Sequence, residues 1–331
     1  MVNPSSLARF SVRYDPSDEL TDGTLALLEF GAGGAEREPR RLRVPLAPAG
    51  TASARERWHV EAPVAHGSRD ALRWSAGGGW LFVAVEADEA EFGGVEAAAE
   101  HVYRQLCGFA GAREERHLLR IWNYLHAINE GEGDRERYRR FCIGRAHGLA
   151  AHGISRYPAA TAIGHHRPGL LQVYALCASR PGEALENPRQ VSAWRYPRQY
   201  GPTPPSFARA MKLPGGGLAI SGTAAVVGHA SRHDRDLQAQ VAETCVNLRA
   251  LLDTAVLPDF DASSPLKVYL RRAEDAQAVR AALARHLDTS VPHLILHGDI
   301  CRHELLVEID GWRFARQVAT CDAWVDPGRP T

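Results

Sequence analysis

Two stretches of this chain run through the same order of elements, and a chain that repeats an order tends to fold as two copies of one unit. The first reads "LLRIWNYL", "RYRRF", "AATAIGHH" and "GLLQVYALCAS"; the second reads "LKVYLRR", "AVRAAL", "HLILHGDIC" and "ELLVEIDG". Each series is strand, helix, strand, strand. The strand segments are short apolar runs, and the helical segments carry apolar residues at three- and four-residue spacing. The expected fold class is therefore α+β: two related units, each a mixed β-sheet with helices packed on one face. Two such units would meet across a cleft.

Other segments fill in the plan. "RFSVRY", "TLALLEF", "RLRVPL", "RWHVEA" and "GWLFVAVEA" read as strands, and "VEAAAEHVYRQLCGFA" has helical spacing through Val95, Ala98, Val102 and Leu106. "EGEGDRERYRRFCIGRAHGLAAHG" reads as a second helix closed by Gly153. "GLAISGTAAVVG" reads as a strand pair or one bent strand, and "DRDLQAQVAETCVNLRALLDTA" as a helix whose acidic start suits the helix dipole. We expect an N-terminal unit over 1–185 and a C-terminal unit over 186–331, the latter opening with a Pro- and Arg-rich connector at 186–212.

The 39 basic and 39 acidic residues cancel, which removes any global pull toward nucleic acid or an anionic membrane. A local arginine patch would still suit a small anion. Six cysteines without a CxxC pair argue against a zinc finger or a disulfide framework and for the reducing cytosol. The start "MVNPSSLARFSVRYDP" lacks the apolar run of a signal peptide, and no stretch is long and apolar enough to span a membrane.

The segment "LHGDICRHELLVEIDG" is the anomaly, because His297, Asp299, Cys301, His303, Glu304 and Glu308 interrupt what otherwise reads as core strand. Burying an unpaired carboxylate costs several kcal/mol, so an internal Glu needs a partner, a proton or a task. Strand alternation puts Glu304, Leu306 and Glu308 on one face and Leu305, Val307 and Ile309 on the other. Glu308 then points away from the more apolar face. On this pattern alone it reads more readily as a solvent-facing edge residue than as a cleft wall.

The second half resembles the RidA/YjgF superfamily, with its chorismate-mutase-like fold, in "KVYLR" at 267–271 and "LLVEI" at 305–309. Those deaminases carry a substrate-binding Arg after the Pro that precedes the penultimate strand, whereas "VPHLIL" has His293 and Leu294 there, which argues against imine hydrolysis. A narrower resemblance covers residues 119–311: "RIWNYLHAINEGEGDRERYRRFCIGRA", "RYPRQYGPTPPSFARA", "LAISGTAAVVGHAS" and "GDICRHELLVEIDG" together look like the chorismatase family. That resemblance implies an enzyme that removes pyruvate from chorismate with no cofactor.

Chorismate is a dianion with an enolpyruvyl ether. It calls for guanidinium clamps, for which Arg195, Tyr196, Arg198, Tyr200 and Arg209 are candidates. It also calls for an acid of raised pKa to protonate the enol methylene carbon. The resemblance places Glu308 at the family's catalytic glutamate and Cys301 at a cysteine that accompanies formation of 3-hydroxybenzoate, with 4-hydroxybenzoate left open as an accompanying product. "SGTA" at 221–224 offers backbone N–H groups and the Thr223 hydroxyl to a carboxylate, Ala224 touches a second product discriminator that points toward hydrolysis, and Arg271 ends a strand near the cleft.

Other readings compete. Water capture would give a dihydroxycyclohexadiene carboxylate instead, and a non-catalytic ligand-binding protein of the same fold would leave Glu308 structural. His297, Asp299 and Cys301 share one face of a strand and, with His303, could ligate zinc or iron. "PGGGLAISG" lacks both the P-loop and the dinucleotide fingerprint. The expected partner is a small molecule, and the chain works as a monomer or a homotrimer.

Overall fold

The computed structural model describes residues 7–31, 37–50 and 53–315; residues 316–331, Cys321 among them, lie outside the described residues. A four-stranded sheet comes first, built from β1 (Phe10–Tyr14), β2 (Thr24–Gly31), β3 (Arg41–Val44) and, after the short β4 (Ala47–Pro48), β5 (Ser53–Val60). A seven-stranded sheet follows from β6 (Ala65–Arg69), β7 (Leu72–Gly77), β8 (Trp80–Asp88), β9 (His117–His126), β10 (Ala159–His165) and β11 (Leu170–Ala178). Helix α1 (Val95–Gly111) joins β8 to β9, and α2 (Arg137–Ala150) joins β9 to β10.

The third sheet, also seven-stranded, uses β12 (Glu183–Leu185), β13 (Ala210–Lys212), β14 (Leu218–Thr223), β17 (Leu266–Leu270), β18 (His293–His297) and β20 (Val307–Arg313). A hairpin of β15 (Val226–Val227) and β16 (Ala230–Ser231) and helix α3 (Leu237–Ala255) lie between β14 and β17, and α4 (Ala276–Leu283) joins β17 to β18. The strand after Gly298, β19 (Asp299–Ile300), leaves its own sheet and pairs with β10.

The repeat read from sequence is present in the pairing. The second sheet runs β19-β10-β9-β11-β8-β7-β6 and the third runs β4-β18-β17-β20-β14-β13-β12 from the matching edge. In both, a parallel pair (β9 with β10, β17 with β18) continues into an antiparallel partner, β11 or β20. The boundary expected at 185/186 falls directly after β12, which pairs with β13 in the third sheet. The first sheet, which two-unit reasoning does not separate from the N-terminal unit, repeats the same kernel without helices: β2 is parallel to β3 and antiparallel to β5, which is antiparallel to β1. Strands β6 and β7 also escape the sequence reading, because "AHGSR" is polar throughout and mostly exposed.

Helices cover the outer faces. Val83, Val85, Ile121, Leu125, Val173 and Ala175 pack under α1 and α2, and Leu218, Ile220, Val268, Val307 and Ile309 pack under α3 and α4. Asp236 caps α3, its side chain accepting from Ala239 N at 3.0 Å. The inner faces of all three sheets share one core in which Trp58, Trp122, Tyr174 and Trp312 crowd together, with Trp122 stacked on Tyr174 at 5.0 Å between centroids.

Charged groups stand inside this aromatic core. Asp310 Oδ2 accepts from Arg120 at 3.0 Å, Trp122 Nε1 at 2.8 Å, Thr161 Oγ1 at 2.7 Å and the Tyr269 hydroxyl at 2.9 Å. Lys267 Nζ lies 2.7 Å from Glu56 and 3.5 Å from Asp310, and Glu56 also accepts from Trp58 Nε1 at 2.7 Å. Glu56 comes from the first sheet, Arg120 from the second, Lys267 and Asp310 from the third, and all four are fully buried. Removing one partner of a buried pair strands the other. Lys267→Met is therefore expected to lower the unfolding free energy by about 3–5 kcal/mol in urea titration, while an exposed control such as Arg235→Met leaves it within about 0.5 kcal/mol.

Candidate active site

β20 alternates as its sequence requires: Val307 and Ile309 enter the helix-covered core, whereas Glu308, Asp310 and Trp312 face the other way. Glu308 lies opposite Tyr269 on β17, at the end of the strand where the second and third sheets meet. There β14 loses register with β20 between Ile220 and Thr223. Ser221 fastens this irregularity to the second sheet, since its hydroxyl donates to Ala208 O at 2.5 Å and accepts from Ala160 N at 2.9 Å. Gly222 then passes so close to Glu308 that a Cβ at that position would overlap Oε1.

The result is a cavity of about 380 Å³ with walls from both seven-stranded sheets, α2 and the connector. Glu308 and Gly222 form part of its wall, with Thr161 on β10, Tyr138 and Arg145 on α2, Tyr196, Tyr200 and Arg209 on the connector, and Cys301 and Arg302 after β19. Every wall comes from one chain.

Among the described residues, three guanidinium groups of this wall have no carboxylate within ion-pair distance. Arg145 donates to Ser206 O at 2.7 Å, Arg209 donates to Val191 O at 2.9 Å and to the Tyr196 hydroxyl at 2.6 Å, and Arg302 donates to His229 O at 2.8 Å and Ser231 Oγ at 3.1 Å. Aromatic faces hold all three: Arg302 lies 4.1 Å from the Tyr200 centroid, Arg209 5.2 Å from that of Phe207, and Arg145 5.5 Å from that of Tyr103. Arg139 differs, being paired with Glu136 at 3.0 Å.

Burial first, and the charge of Asp310 second, push the Glu308 carboxyl up to about 8, against the opposing pull of Arg120, Arg209 and Arg302. The Cys301 thiol is likewise raised, by burial and then by Glu308, so it remains a thiol. A carboxyl raised in this way, on a wall that also carries Arg145, Arg209 and Arg302, suits a small anionic ligand.

Similarity to known proteins agrees with this geometry. The family description "Chorismatase FkbO/Hyg5-like, N-terminal" matches residues 56–177, and that of the phosphotransferase enzyme family matches residues 124–315. A chorismatase of Streptomyces hygroscopicus is 34% identical over 92% of this chain and 93% of its own length. One from Streptomyces rapamycinicus is 38% identical over 77% and 81%. A chorismatase crystal structure superposes with a TM-score of 0.82 at 32% identity, covering 93% of this chain and 99% of that one. The chain belongs to the chorismatase family. Near-complete agreement in fold and length decides this over the overlapping phosphotransferase match, and the mixed α+β class expected from the sequence is the fold that the chorismatase crystal structure shares.

Within this chorismatase fold the residues singled out from sequence divide. Glu308, Cys301, Tyr200, Arg209 and Ala224 stand on the pocket wall. Arg198 does not: it is exposed and binds Asp134 at 2.9 and 2.5 Å. Arg271 is also displaced from the expected role, because all five of its N–H groups are engaged, with Leu305 O, Asn129, Asp299, Ile300 O and Arg302 O at 2.8–3.0 Å. It shapes the 299–306 segment that presents Cys301 and Arg302. Thr223 is buried with its hydroxyl donating to Ser221 O at 2.9 Å, and Gly222 takes the place on the wall expected for it. The metal constellation separates at Gly298: His297 lies 5.1 Å from His166 in another hollow, Asp299 binds Arg271, and Cys301 faces the pocket.

Sequence reasoning missed Arg145, Arg302, Tyr138 and the close approach of Gly222 to Glu308. Arg145 carried a signal, since it lies on the buried stripe of α2 with Phe141, Cys142 and Leu149, seven residues after Tyr138. Gly222 carried none, because its neighbour Glu308 is distant in sequence. Gly222→Ala is expected to push the Glu308 carboxyl aside and reduce turnover about 100-fold, with circular dichroism and the thermal midpoint close to those of the parent.

The position of Glu308 also has a counterpart in the duplicate sheet. Tyr269 on β17 and Tyr124 on β9 correspond, their hydroxyls 3.2 Å apart, and opposite Tyr124 stands Gln172. Gln172 is sealed, donating to Arg43 O at 2.8 Å and to Glu86 at 2.7 Å.

Proposed function

We propose that this chain cleaves the enolpyruvyl ether of chorismate, releasing pyruvate and 3-hydroxybenzoate, with Glu308 as the acid. The observation that carries the reading is the buried Glu308 carboxyl, its pKa pushed up by burial and Asp310, in a cavity lined by Arg145, Arg209 and Arg302, which have no carboxylate partner among the described residues. Two carboxylates on the substrate match those guanidinium groups through charge-assisted hydrogen bonds. Their negative charge also cancels the arginines' pull on Glu308, so binding keeps the proton where it is needed.

Glu308 delivers that proton to the methylene carbon of the enol ether, leaving an oxocarbenium centre. The ring C–O bond then breaks, its electron pair forming the ketone of pyruvate, while the neighbouring ring oxygen closes on the vacated carbon and its hydroxyl proton returns to Glu308. Opening of the resulting arene-oxide-like ring, with loss of a ring C–H proton, restores aromaticity. One chorismate becomes one pyruvate and one 3-hydroxybenzoate, and no water is consumed. Support for this product comes from Cys301 on the wall and from a Streptomyces hygroscopicus relative called a 3-hydroxybenzoate synthase, 33% identical over 77% of this chain.

Among the described residues the five cysteines are all unpaired, in keeping with the reducing cytosol, and no helix is long and apolar enough to cross a membrane.

A coupled pyruvate assay with product chromatography tests the activity. 3-Hydroxybenzoate is expected without label from ¹⁸O-water, whereas a labelled diene diol would assign hydrolysis and unreacted chorismate would leave only ligand binding. Glu308→Gln should lower kcat by about 1,000-fold. The acid form is lost as pH rises, so kcat/KM of the parent should be level below its alkaline limb and fall through about pH 8. Arg209→Met is expected to raise KM about 10- to 100-fold, with initial rates across substrate concentration as the measure.

A further inference from the structure

Two residues beyond Glu308 on the same face of β20 stands a second buried carboxyl, Asp310. Its Oδ2 is the acceptor for Arg120, Trp122, Thr161 and Tyr269 at 2.7–3.0 Å, a convergence of donors that suits a carboxylate oxygen and not a carboxylic O–H. Thr161 belongs to the pocket wall, so this negative charge lies one hydroxyl behind the cavity. No solvent intervenes to screen it, since Asp310 and Arg120 are fully buried.

We propose that Asp310 is a positioning residue for the reaction: fixed by its four donors, it keeps the proton on Glu308 until the enol ether takes it. The proposal rests on Glu308 being the acid. Groups facing Glu308 from the surrounding elements are Asp310 on its own strand, Tyr269 on β17, Arg120 on β9, Tyr138 on α2, Arg209 on the connector, and Cys301 and Arg302 after β19, with Glu136 and Glu304 on the same pocket. Three of these are cations that favour loss of the proton. Asp310 opposes them, and after burial it is the largest influence keeping the carboxyl neutral.

Two substitutions should move the alkaline limb of kcat/KM in opposite directions, which loss of packing alone would not do. Asp310→Asn removes the negative charge, makes the Glu308 anion easier to form, and shifts the limb about one unit to lower pH. Tyr269→Phe preserves shape but removes one donor, leaving the Asp310 charge less neutralised, and shifts the limb to higher pH. Circular dichroism establishes that each variant is folded. Limbs unmoved, or moved in the same direction, overturn the proposal; if Asp310→Asn does not fold, Tyr269→Phe decides alone, an upward shift supporting the role and an unmoved limb refuting it. Glu308→Gln separates the two readings. Normal turnover there removes Glu308 as the acid, whereas an inactive Glu308→Gln with unmoved limbs in the other variants removes only the role of Asp310.

Discussion

The contact between Asp310 and its donors determines how the three sheets can meet. Isolated charges at this depth would each cost several kcal/mol, and the cost is offset only when every partner is in reach. Arg120, Lys267, Glu56, Trp58, Trp122, Thr161 and Tyr269 come from strands that are far apart in the chain, and they pair in one registration of the sheets, with Asp310 Oδ1 and Arg120 Nε left without a hydrogen bond among the described residues. A slip of one residue in β20 would send Asp310 into the aliphatic layer under α3 and α4 and bring Ile309 to the charges. The buried polar cluster thus selects the arrangement more than it adds stability.

The site inherits its geometry from the same alternation. On one face of β20, Glu308 meets the cavity, Asp310 the charge cluster and Trp312 the aromatic core. The Glu308 carboxyl is therefore anchored two residues from the buried charge cluster. Arg271 does a similar service for the opposite wall, tying the 299–306 segment through four of its five bonds and presenting Cys301 and Arg302. Preorganisation of this kind reduces what substrate binding must rearrange.

How much of this could be read from the sequence depended on the range of the interaction. The repeated strand and helix order is local patterning, and it translated into matching spatial orders of strands. Glu308 drew notice because acidic groups interrupt an apolar segment, but strand alternation by itself favoured a solvent-facing edge residue, and only the resemblance to the chorismatase family pointed to the cleft. Arg198 and Arg271 misled because an arginine near a cleft has the same letter whether it binds a ligand, Asp134 or five backbone and side-chain acceptors. Gly222, and the departure of β19 to the neighbouring sheet at Gly298, depend on contacts between residues far apart in the chain, and no periodicity encodes them.

Gln172, in the place that corresponds to Glu308, has a consequence for how such a protein can change. An assembly of identical subunits repeats each substitution at every symmetry-related position. Here each sheet has its own codons, so an acid can persist in one cleft while its counterpart becomes an amide locked to Glu86. Repetition within one polypeptide frees the copies from symmetry, so one sheet can carry an acid on its cleft while its sibling carries a sealed amide.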